Sequence, residues 1–127
     1  MERGYYFLAN PYNGTEEEKN TRFEQTCKAA AHLLRNGVKT YSPTIHNNVI
    51  VNVSGDWTSE EKKEFLMPFS LTMLDKSQGL ILLMLDGWEK SAGILKEIEY
   101  CKNNKIPVYK FAYDELMNGG QSLEKLK

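Results

Sequence analysis

The stretch Gly79-Leu80-Ile81-Leu82-Leu83-Met84-Leu85 contains no polar side chain and runs directly into Asp86-Gly87-Trp88. An apolar run of this length, bounded by turn residues, reads as a strand covered on both faces, as in the middle of a parallel sheet. The acidic Gly turn ends it, and Ser91 is placed to cap the helix that follows. That helix carries Ile94, Ile98 and Cys101 on one stripe. At about 100° per residue, Glu97 lies on the edge of the stripe and Glu99 points well away. In open α/β sheets, ligands sit beyond the carboxyl ends of the strands, beside the N-termini of the following helices. Glu97 therefore stands where a carboxylate can be partly desolvated without being lost in the core. Periodicity alone favours the plainer reading, a helix glutamate at the solvent boundary.

The remaining punctuation alternates strands with helices. Tyr5-Tyr6-Phe7-Leu8-Ala9 reads as a first strand, closed by Asn10-Pro11-Tyr12-Asn13-Gly14. Thr15 and Glu18 form a capping-box pattern, Phe23, Cys27, Ala30 and Leu34 recur at helical spacing, and Gly37 supplies the stop. Val38–Tyr41 reads as a short strand, and residues 44–57 as an irregular stretch in which Val49, Val51 and Val53 alternate as a small extra strand would. Thr58 and Glu61 repeat the capping box ahead of Phe65, Phe69 and Met73, with Pro68 demanding a kink or a break. Pro107–Phe111 gives a last strand, and the tail reads as one or two short helices broken at Gly119-Gly120. The expected fold is a single α/β domain over residues 1–127. It is a three-layer, flavodoxin- or Rossmann-like open parallel sheet of four to five strands with helices on both faces.

Charge narrows the partners. The chain has 16 basic and 17 acidic side chains, so no positive excess drives binding to polymeric nucleic acid. No apolar run approaches the ~20 residues that span a bilayer, and the apolar N-terminal run is too short for a signal peptide. A cytoplasmic protein without a membrane partner is expected, with Cys27 and Cys101 as reduced thiols in helices. Neither metal-ligand spacing nor a Ser-His-Asp arrangement is present, and no cofactor is implied. His46 is a candidate ligand contact, Trp88 a candidate base-stacking ring, and Asn13-Gly14 a weak candidate phosphate turn.

Several segments, in order, carry a resemblance. Phe7-Leu8-Ala9-Asn10-Pro11-Tyr12, Tyr41-Ser42-Pro43-Thr44-Ile45-His46, Asp56-Trp57, Asp75, Leu82-Leu83-Met84-Leu85-Asp86-Gly87-Trp88, Ser91-Ala92-Gly93 with Glu97, and Ile106-Pro107-Val108 span most of the chain. Together they resemble the nucleoside 2-deoxyribosyltransferase-like superfamily, and most closely its small, uncharacterised branch common in phage and bacterial genomes.

The resemblance implies chemistry at the N-glycosidic bond of a nucleoside or nucleotide. Glu97 aligns with the family nucleophile, and Asp75 with a position associated with the base as acid/base or binding partner. Asp86 and Ser91 shape the sugar site, with Ala9, Asn10, Gly87, Trp88 and Gly93 around it, and Tyr12 and His46 line the pocket or its lid. Phe7 stands where the family has a tyrosine and Asn10 where it has a serine. The loss of the first-strand hydroxyl bears on rate, unless Tyr6 or Tyr12 replaces it. The implied activity is hydrolysis or transfer through a glycosyl-enzyme ester. The alternative is a non-catalytic, nucleotide-sequestering protein, with a use in phage–host conflict. Relatives complete their pockets across subunits, so a homodimer or higher homo-oligomer is expected.

Overall fold

The computed structural model describes residues 4–119 together with Leu123 and Leu126. Four strands, β1 (Tyr6–Ala9), β2 (Thr40–Tyr41), β3 (Gly79–Met84) and β4 (Val108–Ala112), form one sheet in the order β2-β1-β3-β4, every pair parallel. The helices are α1 (Glu16–Arg35), α2 (Pro43–Ser54), α3 (Ser59–Glu61), α4 (Met67–Asp75), α5 (Ala92–Asn103) and α6 (Tyr113–Asn118). A π turn (Lys62–Leu66) joins α3 to α4, and a 3-10 turn (Trp88–Lys90) precedes α5. The expected open α/β sheet is present with four strands. No helix among the described residues is long and apolar enough to cross a membrane.

The strands divide their side chains between two cores, as the two-residue period requires. Tyr6, Leu8, Ile81, Leu83 and Phe111 pack with Ala29, Ala30 and Leu33 of α1 and Leu116 of α6. Phe7, Ala9, Leu80 and Leu82 pack on the other face with Leu74 of α4 and Ile94 and Cys101 of α5. β3 is buried on both faces, as its composition demands. Both cysteines are free, Cys101 buried and Cys27 half-buried.

Both capping boxes form. Thr15 accepts from the Glu18 amide and Thr58 from the Glu61 amide, with each glutamate returning a bond to its cap. Gly37, at φ 79°, takes the left-handed turn that ends α1. The inward stripe of α1 is shifted one residue from the sequence reading. Thr26, Ala29, Ala30 and Leu33 are buried, whereas Leu34 is 54% exposed. Small alanines let the helix approach the sheet, with Phe23 and Cys27 half-buried at the margin of that stripe.

Two readings are corrected. Residues 43–54 are a helix, not an irregular stretch with a valine strand. Ser42 caps it by accepting from the Ile45 amide, and Pro43 takes the first turn, where a missing N–H costs nothing. Val49, Val51 and Val53 follow no buried period because α2 buries none of its residues. Phe65 and Phe69 do not form the inward stripe of the next helical run; they are 56% and 42% exposed. Pro68 donates no amide bond, and its ring crowds the carbonyl four residues back. The chain widens there into the π turn, with the Met67 amide reaching Lys62 O. Leu66, Ser70 and Leu74 face inward instead, Leu66 and Leu74 buried and Ser70 half-buried. The tail reading is met by α6, but Gly120 lies outside the described residues.

The shifted α1 stripe sets a direct comparison. Leu33→Ala is expected to cost about 2–4 kcal/mol of unfolding free energy and Leu34→Ala less than about 1 kcal/mol, read from urea denaturation midpoints.

Candidate functional site

Three chain segments meet at the carboxyl end of the sheet: the loop after β1, the turn after β3, and the start of α5. The turn after β3 reverses through Gly87, whose φ of 87° favours glycine. Arg22, on the second turn of α1, ties these segments together. Its Nη1 donates to Tyr12 O (3.3 Å) and Asn13 O (2.5 Å), and its Nη2 to Asp86 O (2.8 Å). Three carbonyls on two loops are thus held by one guanidinium, whose planar fork suits such a role.

Beside this clamp lies a cleft of about 520 Å³, lined by Ala9, Asn10, Pro11, Tyr12, Asn13, Arg22, Pro43, Thr44, Gly87, Lys90, Ser91, Ala92, Gly93, Ile94 and Glu97. The Ser91 side chain caps α5 by accepting from the Ile94 amide. The first amides of that helix have no intrahelical acceptor. With Arg22 and Lys90 they make this end of the cleft favourable for an anion. Asn10 is buried there. Its Nδ2 donates to Pro11 O (2.9 Å), and its Oδ1 has no hydrogen-bond partner.

A second cavity, a groove of about 610 Å³, runs between α4 and α5. It is lined by Pro43, Lys63, Met67, Pro68, Ser70, Leu71, Leu74, Gly93, Lys96, Glu97 and Tyr100. Pro43, Gly93 and Glu97 belong to both cavities. Glu97 therefore stands where a polar cleft meets an apolar groove. Burial pushes its carboxyl up to about 7, because the charged form loses solvent there. One turn further on, burial and then the charge of Glu97 push the Cys101 thiol up to about 11.

Of the residues singled out in the sequence, Ala9, Asn10, Tyr12, Gly87, Ser91, Gly93 and Glu97 come together in the cleft. Asp75 lines neither cavity; its Oδ1 is exposed and accepts from the Tyr100 hydroxyl at 2.6 Å. Asp86 faces a different cavity, between α1 and the end of β4, and reaches the cleft only through its carbonyl bond to Arg22. Trp88 packs on the α4/α5 core, with the Lys110 ammonium 5.6 Å from its ring centre. Phe7 is fully buried beneath the site against Tyr41, ring centres 5.9 Å apart. His46 stacks on Phe69 (5.3 Å) and packs at a tilt against Tyr41 (5.5 Å), and its Nδ1 meets Asn47 Oδ1 at 2.9 Å.

Of the two tyrosines considered as a substitute hydroxyl, Tyr6 is committed elsewhere, while Tyr12 lines the cleft. Tyr6 donates to Leu126 O on the opposite face, and Tyr12 accepts from Asn48 Nδ2. Sequence reasoning passed over Arg22, Lys90, Thr44 and Ser70. Ser70 carried a usable signal, since it shares the i, i+4 stripe with Leu66 and Leu74. Arg22 carried none, because its partners are backbone carbonyls on loops distant in sequence. Among the described residues, no group of three or more His, Cys, Asp or Glu side chains is placed to hold a metal ion.

A family model described as "Domain of unknown function (DUF1937)" matches residues 4–113. No curated protein matches the chain.

The raised Glu97 carboxyl has a consequence for stability. The unfolded chain releases this proton near 4.5 and the folded chain near 7, so Glu97 stabilises the fold fully only below about pH 4.5. That contribution is lost as the pH rises through about 7. Glu97→Gln is expected to raise Tm by a few degrees at pH 8 and to leave it unchanged at pH 4, measured by thermal unfolding.

Proposed function

This chain belongs to the DUF1937 family, and for it we propose hydrolysis or transfer at the N-glycosidic bond of a nucleoside or nucleotide, with Glu97 as nucleophile. The observation that carries the reading is the place of Glu97, shared by the polar cleft and the apolar groove. A base fits the groove, the sugar crosses Glu97, and the anion-favouring end of the cleft suits a 5′-phosphate.

In this reading the ionised Glu97 attacks the anomeric carbon. The C–N bond breaks, and its electron pair passes to the base, which takes a proton from water. The resulting ester is opened by water, giving free sugar, or by a second base, giving a new nucleoside. A poorly solvated carboxylate suits both needs: it is reactive when ionised, and it gains most from an oxocarbenium-like centre beside it. Because the reactive form is the anion, kcat/KM is expected to rise tenfold per pH unit below about 7 and to level off above it.

A second reading, a binder that sequesters its nucleotide, is favoured by a specific observation. Among the described residues lining the two cavities, Glu97 is the one carboxylate. Retaining glycosidases with paired carboxylates place the second about 5–5.5 Å away. Self-association belongs to the proposal as well. Val49, Val53, Phe65, Met67, Phe69 and Leu71 expose apolar surface on α2, the π turn and α4, next to the groove.

Chromatography of the protein incubated with nucleosides, 5′-mononucleotides and NAD-type dinucleotides tests the proposal. The expected outcome is free base from wild type and none from Glu97→Ala, with the fold confirmed by circular dichroism. Equal release by both would remove Glu97 from the mechanism, and intact ligand co-eluting with wild type would favour sequestration.

A further inference from the structure

We infer that Ser70 is the residue by which the groove reads the edge of a planar heterocyclic base, donating a hydrogen bond to an acceptor on that base. The inference rests on the glycosidic reading above and assigns the choice of base to a named side chain.

Ser70 lies on the inward stripe of α4, between Leu66 and Leu74, where an aliphatic residue would extend the packing. It lines the groove that Glu97 closes, among Met67, Pro68, Leu71 and Leu74, walls suited to the faces of a flat ring. The groove's other polar side chains have different commitments. Lys63 and Lys96 are exposed, Glu97 faces the sugar, and the Tyr100 hydroxyl donates to Asp75. Asp75, the sequence's candidate for handling the base, is outside the groove.

The hydrogen bonds behind Ser70 set its direction. Asn47 Nδ2 donates to Ser70 Oγ at 3.5 Å, and Asn47 Oδ1 lies 2.9 Å from His46 Nδ1. Ser70 Oγ thus accepts from the protein and keeps its own proton to donate. The Tyr41 hydroxyl adds to this: it is buried with no hydrogen bond of good geometry, and Ser70 is its polar neighbour. A buried unpaired hydroxyl next to a side chain that lines an apolar groove is costly unless a polar group completes it. A base acceptor taking the Ser70 proton leaves Ser70 Oγ free to receive a bond from Tyr41. Ring nitrogens and carbonyl oxygens in the plane of a base are such acceptors. As the glycosidic bond breaks, negative charge grows on those atoms, and the Ser70 bond strengthens without its proton being transferred.

The test uses the full chain carrying Glu97→Gln, so that ligands are held without turnover. Calorimetric titration with the common nucleoside 5′-monophosphates identifies the best-bound base, and analogues with a CH group in place of each ring nitrogen identify the atom read. Ser70→Ala is expected to weaken the best ligand about tenfold, and removal of the acceptor atom to do the same. Both changes together should cost no more than either alone. Ser70→Thr, which keeps the hydroxyl, should retain most of the affinity. Unchanged binding in Ser70→Ala, additive losses, or no nucleotide binding would overturn the inference. The glycosidic reading fails separately: wild type would then bind the nucleotide and release no base.

Discussion

Leu80, Ile81, Leu82 and Leu83 leave β3 no side that can face water, so helices must cover both faces of the sheet. A parallel sheet covered in this way returns its chain through crossover helices, and every strand points the same way. The loops after β1 and β3 therefore emerge side by side at one edge. Arg22 then joins them through Tyr12 O, Asn13 O and Asp86 O. Position and preorganisation of the cleft follow from two-sided burial of one strand and from one guanidinium spanning two loops.

Glu97 gains its character from the same arrangement. Its helix must lay Ile94 and Cys101 against Phe7, Leu80 and Leu82, and the carboxylate is carried along at the margin of that packing. The cleft on one side of it is also lined by Arg22 and Lys90, and the groove on the other by Met67, Leu71 and Leu74. The loss of solvent that raises its pKa is the price of standing at that boundary. The same boundary suits a ligand with an apolar ring at one end and an anion at the other, which is the shape of a nucleotide.

What could be read in advance follows a physical division. The α/β class, β3, the capping boxes and the α5 stripe were legible because each is set by neighbours in sequence: Thr15 with Glu18, Ser91 with Ile94, the alternation of Phe7 and Leu8. α2 was not, because Val49, Val51 and Val53 have strand preferences and the helix buries none of its residues, so no 3.6-residue burial pattern was written into it. The stripe at Phe65 and Phe69 misled because the π turn ahead of Pro68 shifts the helix phase, which leaves no trace in simple spacing. Within the site, Ala9, Asn10, Tyr12, Gly87, Ser91, Gly93 and Glu97 lie on strand ends and a helix start, where sequence order predicts proximity. Asp75 sits at the far end of β3 from the cleft, after α4 has turned, and its neighbour is Tyr100. Arg22 depends on tertiary placement alone, whereas Ser70 shares its stripe with Leu66 and Leu74.

The claim on which the rest turns is that Glu97 forms a covalent bond to the sugar. A nucleotide analogue with fluorine beside the anomeric carbon slows the opening of a glycosyl ester more than a good leaving base slows its formation, so the intermediate accumulates. Intact-mass spectrometry followed by peptide mapping is the measurement. The account predicts a mass increase of one fluorinated sugar or sugar phosphate, confined to the peptide of α5 and attached at Glu97. Release of base with the label on another residue, or with no label at any time point, would contradict it.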